Sequence, residues 1–180
     1  MEFMVRHRDR VGAAPLRAEI VEDHWSYMDR FERELIARGP MLDDDETPIG
    51  SIHLVDLPDE AAAWAFACGD PNYRRGVCND VTVRPWRNLL GRTMWQFPGG
   101  QRGARRYAVV GLAPSTGRSC RTPADTCDLI AYGPLLTDDG TEELGVVALL
   151  RADTADAARD VLLPQTYADV NVCRWEFGGR

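Results

Sequence analysis

The feature that most narrows the fold is an internal repeat. Leu35–Asp45, LIARGPMLDDD, returns as Leu129–Asp139, LIAYGPLLTDD. The registration extends beyond the match. Gly39 and Pro71 lie 32 positions apart, Gly133 and Pro164 lie 31 apart, and six positions separate each of those prolines from the next valine, Val77 or Val170. Identity and spacing that agree this far predict two copies of one supersecondary unit.

The first copy reads in order as strand, helix, strand, helix, strand. Glu2–Arg8 alternates, with Phe3, Val5 and His7 on one face and Met4, Arg6 and Arg8 on the other. Leu16, Ile20, Tyr27, Phe31 and Leu35 recur at helical spacing, which predicts one long helix over Ala13–Leu35. Pro15 suits its first turn and Gly39-Pro40 its stop. His24 falls on the same inward stripe. Gly50–Asp56 reads as a strand, with room for a short one near Met41-Leu42. A second helix is expected through Ala61, Trp64, Ala65 and Cys68 with Asp59 as N-cap, then a strand over Val77–Arg84. The second copy supplies strands at Tyr107–Leu112, Leu144–Leu150 and Val170–Phe177 and a helix at Ala155–Leu162. It leaves space for only a short first helix, over Pro123–Ala131 with Thr122 as N-cap. The expectation is an α+β fold of two ferredoxin-like modules in tandem: residues 1–88, a linker over 89–104, and residues 105–180.

Composition excludes several functions. The net charge of −7, with local basicity only at Gln101–Arg106, disfavours nucleic-acid binding. No apolar run reaches membrane-spanning length and no signal peptide is visible, so a cytoplasmic protein is expected. Five cysteines without a CxxC predict free thiols rather than a zinc site or disulfide framework. The acidic runs Asp43–Asp45 and Asp138-Asp139 lack calcium-loop spacing and read as solvated turns. Phosphate loops and nucleophile elbows are absent. The five tryptophans read mainly as core.

Arg8-Asp9, His24, Gly39-Pro40, Asp43-Asp44, Gly50-Ser51, Asp70-Pro71 and Arg84-Pro85-Trp86 together resemble the YCII family, over residues 1 to about 87. The second half resembles a degenerate copy. The resemblance implies the dimeric α+β barrel class, with both halves of one barrel on this chain; a homodimer of such chains could add to it. It also implies a His–Asp catalytic pair, here His24 and Asp70. One family relative removes chloride from chlorinated hydroquinones. In the second copy Leu163 takes the place of Asp70, so such chemistry would occur once per chain.

A carboxylate bonded to one imidazole nitrogen fixes the tautomer, favours the protonated ring and frees the other nitrogen to exchange a proton. That suffices for dehydration, dehalogenation, isomerisation or cyclisation of a small organic acid or ketone, with no cofactor and no metal. A specialised metabolic pathway is the expected setting. Arg8 is a candidate to hold a substrate carboxylate or enolate oxygen, with a surface salt bridge to Asp9 or an acidic-loop residue as its alternative. Ser51 and His53 are candidates to line the pocket, His53 from inside the barrel, and Trp86 to wall it. The His24–Asp70 pair could also be a structural tie, and Asp70 could serve only its Asp-Pro turn. The competing function is a non-catalytic barrel that binds a small molecule or docks a partner. A third is a haem- or metal-binding barrel using His24, His53 or His7.

Overall fold

A computed structural model describes residues 1–100, 103, 105–116, 120–163, 165 and 167–179. Pro164 of the repeat registration and Gln101, Arg102 and Ala104 of the basic loop lie outside the described residues. The first half runs β1 (Glu2–Asp9), α1 (Ala14–Glu19), α2 (Val21–Asp29), β2 (Leu35–Leu42), β3 (Pro48–Asp56), α3 (Glu60–Gly69), α4 (Pro71–Arg74) and β4 (Cys78–Pro85). The second runs β5 (Arg106–Leu112), β6 (Leu129–Leu136), β7 (Glu143–Arg151), α5 (Ala155–Arg159) and β8 (Asp169–Trp175). Asp59 caps α3 as expected, its carboxylate accepting from the Ala62 N–H at 2.8 Å.

The eight strands form one antiparallel sheet in the order β4-β1-β3-β2-β8-β5-β7-β6, so the last four repeat the order of the first four. Its two ends meet: Trp86, just beyond β4, bridges Leu135 of β6. The other junction is matched, with Met41 of β2 opposite Trp175 of β8. The result is an α+β barrel of two ferredoxin-like halves closed within one chain. No helix among the described residues is long and apolar enough to cross a membrane.

The repeat proves to be the barrel seam, which corrects two expected helices. The predicted Ala13–Leu35 helix breaks at Ile20 and ends at Asp29, and Leu35 opens β2. Leu35 packs in the same apolar cluster as Tyr27 and Phe31, so it fits a helical stripe without lying on the helix. The expected Pro123–Ala131 helix capped by Thr122 is absent, and LIAYGP lies in β6. Gly39 and Gly133 are not helix stops. A Cβ on Gly39 would stand 1.8 Å from the Glu176 carbonyl oxygen, and one on Gly133 would stand 1.7 Å from that of Arg87. Each glycine lets a crossing backbone lie against its strand. The crossing segments bond alike: Glu176 and Gly178 N–H donate to Pro40 and Arg38 carbonyls, and Arg87 and Leu89 N–H to those of Pro134 and Tyr132.

Alternation along the strands divides the core. Met4, Met41, Ile52, Leu54, Trp86 and Leu149 fill the barrel interior, and Phe3, Val5 and Val55 face the helices, against Met28, Ala63 and Phe66. A packed interior leaves the helix–sheet layer as the place for a site. Trp64 and Trp95, expected in the core, are exposed.

Candidate active site

Four polar side chains interrupt the otherwise apolar helix-facing side of the first half-sheet. His7 of β1 pairs with Ser51 of β3, and Ser51 with Pro40 of β2; His53 of β3 pairs with Arg38 of β2. Directly opposed residues project to the same face. His7, Ser51, Arg38 and His53 therefore form one contiguous floor. The corresponding register in the second half reads Gly111, Val146, Tyr132 and Ala148, and Val146, Tyr132 and Ala148 are buried in an apolar cluster there. Among the described residues there is one such polar floor.

The roof comes from α1 and α2. His24 of α2 points down at Asp70, with Nδ1 and Oδ1 2.8 Å apart. Asp70 is the hinge residue between α3 and α4. The same Oδ1 accepts the Asn72 N–H at 2.9 Å, capping α4. Asp70 is fully buried and His24 is 13% exposed. Every histidine of the sequence sits in this cluster: the rings of His24 and His53 lie 6.0 Å apart and those of His53 and His7 5.8 Å. Between roof and floor is a cavity of about 340 Å³. His24, Ser51, His53 and Asn72 supply polar lining, Val21, Trp25 and Met28 the apolar wall, and Phe177–Gly179 from the second half the far end.

Electrostatics sorts the charges. Burial opposes ionisation of Asp70, but the bond from His24 and the fields of the surrounding imidazoles prevail and hold its carboxyl at about 2. Burial, with His7 next to it, pushes His53 well below the ordinary histidine value, and burial lowers His7 in turn. Both rings are thus carried neutral at pH 7. A histidine whose folded pKa is depressed binds more protons when unfolded, so its burial penalises the fold as pH falls through about 6.5. Denaturant midpoints are expected to fall from pH 7.5 to 5.5, with a slope approaching about 1.4 kcal/mol per pH unit for each ring. His53→Gln should flatten that slope; an unchanged slope would mean His53 is not carried neutral. Asp70 acts lower, its contribution being full above about 4 and lost as pH falls towards 2.

In this cluster several buried polar atoms have no protein partner among the described residues: Ser51 Oγ, His53 Nδ1, His7 Nδ1, Asp70 Oδ2 and both side-chain polar atoms of Asn72. His7 Nε2 is engaged with the Ala67 carbonyl at 3.0 Å. Each such orphan costs about 1–3 kcal/mol unless a ligand or water meets it. Three residues could hold a cation: His24, His53 and Asp70 present donor atoms within 4.8 Å of one another. At 2.8 Å the His24–Asp70 contact has the length of a bond sharing a proton. A cation drawing on both atoms would displace that proton, so cation binding and base chemistry exclude each other here.

The structure brings His24, Asp70, Ser51 and His53 together and sets two expected residues apart. Arg8 projects from the other face of β1, exposed beside the acidic loop, and Asp9 pairs instead with Arg17 at 2.9 Å. Trp86 is buried in the barrel interior, its indole N–H bonded to the Gly133 carbonyl at 3.0 Å, and lines no part of the cavity. His53 lies on the helix side of β3, not in the barrel interior. Sequence reasoning missed Arg38, Asn72 and the Phe177–Gly179 wall. A signal for Arg38 existed: it is the one position that differs between LIARGP and LIAYGP.

Residues 1–87 match the profile of the YCII-related domain. No protein of curated function matches the chain. A putative monooxygenase from Lactobacillus acidophilus NCFM is similar in structure, with a TM-score of 0.54 at 8% identity over 99% of this chain and 96% of that one. A mutant chlorite dismutase from Candidatus Nitrospira defluvii, in complex with cyanide, gives 0.51 at 9% identity over 97% and 90%. A 5-chloro-2-hydroxyhydroquinone dehydrochlorinase from Burkholderia phenoliruptrix AC1100, in complex with 2,5-dihydroxybenzoquinone, gives 0.47 at 22% identity over 51% of this chain and 99% of that one. The two full-length matches show the barrel fold.

Proposed function

We propose, from the match of residues 1–87 to the YCII-related domain, that the protein is a cofactor-independent acid/base enzyme acting on a small organic acid or ketone. The observation that carries the reading is the His24 Nδ1–Asp70 Oδ1 contact of 2.8 Å at the wall of a cavity of about 340 Å³. Ionised Asp70 accepts a hydrogen bond from Nδ1–H and holds the ring, leaving Nε2 to exchange protons with a ligand. A C–H next to a carbonyl gives its proton to Nε2 and the electron pair moves onto the carbonyl oxygen as an enolate. Ser51 Oγ and His53, buried and short of partners, are the groups to bond that oxygen. Return of the proton to another carbon isomerises the substrate; departure of hydroxide or halide from the neighbouring carbon completes an elimination.

In this reading the halves, residues 1–88 and 105–180 with a linker over 89–104, descend from one module. The second kept the seam and lost the polar floor. The test is exchange of substrate C–H for deuterium in D₂O, followed by proton NMR over a panel of cyclic and aromatic acids and ketones. Enzyme-dependent loss of one C–H signal, at a rate proportional to protein, is expected. Compounds that bind the cavity without any exchange or turnover would make the protein a binder.

A further inference from the structure

The floor carries one charge that the acid/base reading does not use. Arg38 lies on β2 directly across from His53 and lines the cavity, with 13% of its side chain exposed. A helix-facing strand position is ordinarily apolar, and the second half has the buried Tyr132 there. The other charges of the cavity are spoken for. Arg17 is bonded by both oxygens of buried Asp9, at 2.9 and 3.2 Å, and Asp70 is engaged with His24. Among the described residues, the Arg38 side chain donates from Nε to the Gly178 carbonyl at 3.2 Å and from Nη1 to half-exposed Asp29 at 3.5 Å, a long ion pair. The Gly178 N–H in turn donates to the Arg38 carbonyl at 2.9 Å. Side chain and backbone of Arg38 are thus both clamped by the tail of the second half, at the end of the cavity that the two line together.

We propose that Arg38 is the anion subsite of this cavity and that its ligand is an organic carboxylate of about one ring. The proposal rests on the cavity being the substrate site. A planar guanidinium fork matches a carboxylate, and the apolar wall of Val21, Trp25 and Met28 suits a ring lying beside it. The volume of about 340 Å³ is at the small end for ligand pockets. His53 stands between, opposed to Arg38 on the sheet and 6.0 Å from the His24 ring. A ligand anchored at Arg38 therefore presents a carbon a few bonds away to His24. The clamp gives the second half a purpose: with no polar floor of its own, it holds the specificity residue of the first.

The experiment is equilibrium binding of 4-hydroxybenzoate against 4-hydroxybenzamide at pH 7.5, by calorimetry, because the two probes differ in charge and not in shape. Wild type is expected to prefer the carboxylate by about tenfold or more. Arg38→Gln should abolish the preference while leaving amide binding within about threefold, and Arg38→Lys should restore part of it. Equal affinities in wild type, a preference surviving in Arg38→Gln, or no binding of either probe would overturn the subsite. None of these results touches deuterium exchange at His24, so failure of the subsite and failure of the acid/base reading are separable.

Discussion

His24→Ala is expected to slow deuterium exchange and turnover by about 100- to 10,000-fold, the range that a positioned general base supplies. The fold should survive. His24 is on α2 with 13% of its side chain exposed, and its ring contacts are with polar groups and His53 rather than the apolar clusters. The substitution does leave Asp70 without one hydrogen bond, but the carboxylate keeps the Asn72 N–H. A modest stability loss with a large rate loss is therefore the signature sought. Measured against far-UV circular dichroism and melting temperature, a variant with native spectra and undiminished turnover would take His24 out of the chemistry.

The largest effect on the fold itself is expected from Gly39→Ala. A Cβ at this position would overlap the Glu176 carbonyl at 1.8 Å and the Trp175 ring at 2.9 Å. The first of these is backbone held in the seam, so it cannot swing aside. Relief requires the tail to lift, breaking the bonds from the Glu176 and Gly178 N–H groups to Pro40 and Arg38. We expect a loss of about 3 kcal/mol or more, the upper range for overpacking, and a melting temperature lower by roughly 10 °C. Gly133→Ala should cost a similar amount, since its Cβ would stand 1.7 Å from the Arg87 carbonyl oxygen. Only Gly39→Ala should also loosen the cavity, because only that crossing segment forms its far wall. Melting within 2 °C of wild type for both variants would contradict the seam.

These two expectations mark what the sequence does and does not reveal. Strand alternation places β1, β3, β4 and β7 to within two residues at either end. The pairing of His24 with Asp70 is legible because each sits at a recognisable point, an inward helical position and the turn after the next helix. LIAxGP misleads because a buried strand and a buried helix end share Leu, Ile and Ala, and Gly-Pro marks a stop in one and a close approach in the other. The Phe177–Gly179 wall stays hidden because it meets Arg38 across 140 residues, at a seam that exists only once the barrel has closed. The face of His53 could not be assigned until it was clear which side of β3 the helices cover. Trp86 flanks the linker in sequence and the barrel core in space.

The central claim is that Asp70 accepts a hydrogen bond from the Nδ1–H of His24 and leaves Nε2 as the working nitrogen. Long-range proton–nitrogen NMR of the imidazole rings reads this directly, with His24 identified by its loss in His24→Ala. In wild type at a pH where the ring is neutral, the account predicts His24 in the Nδ1–H form. In Asp70→Asn, which preserves a capping side chain for α4 but removes the charge, that preference should weaken or vanish. An Nε2–H tautomer in wild type, or spectra identical in the two proteins, would contradict the account.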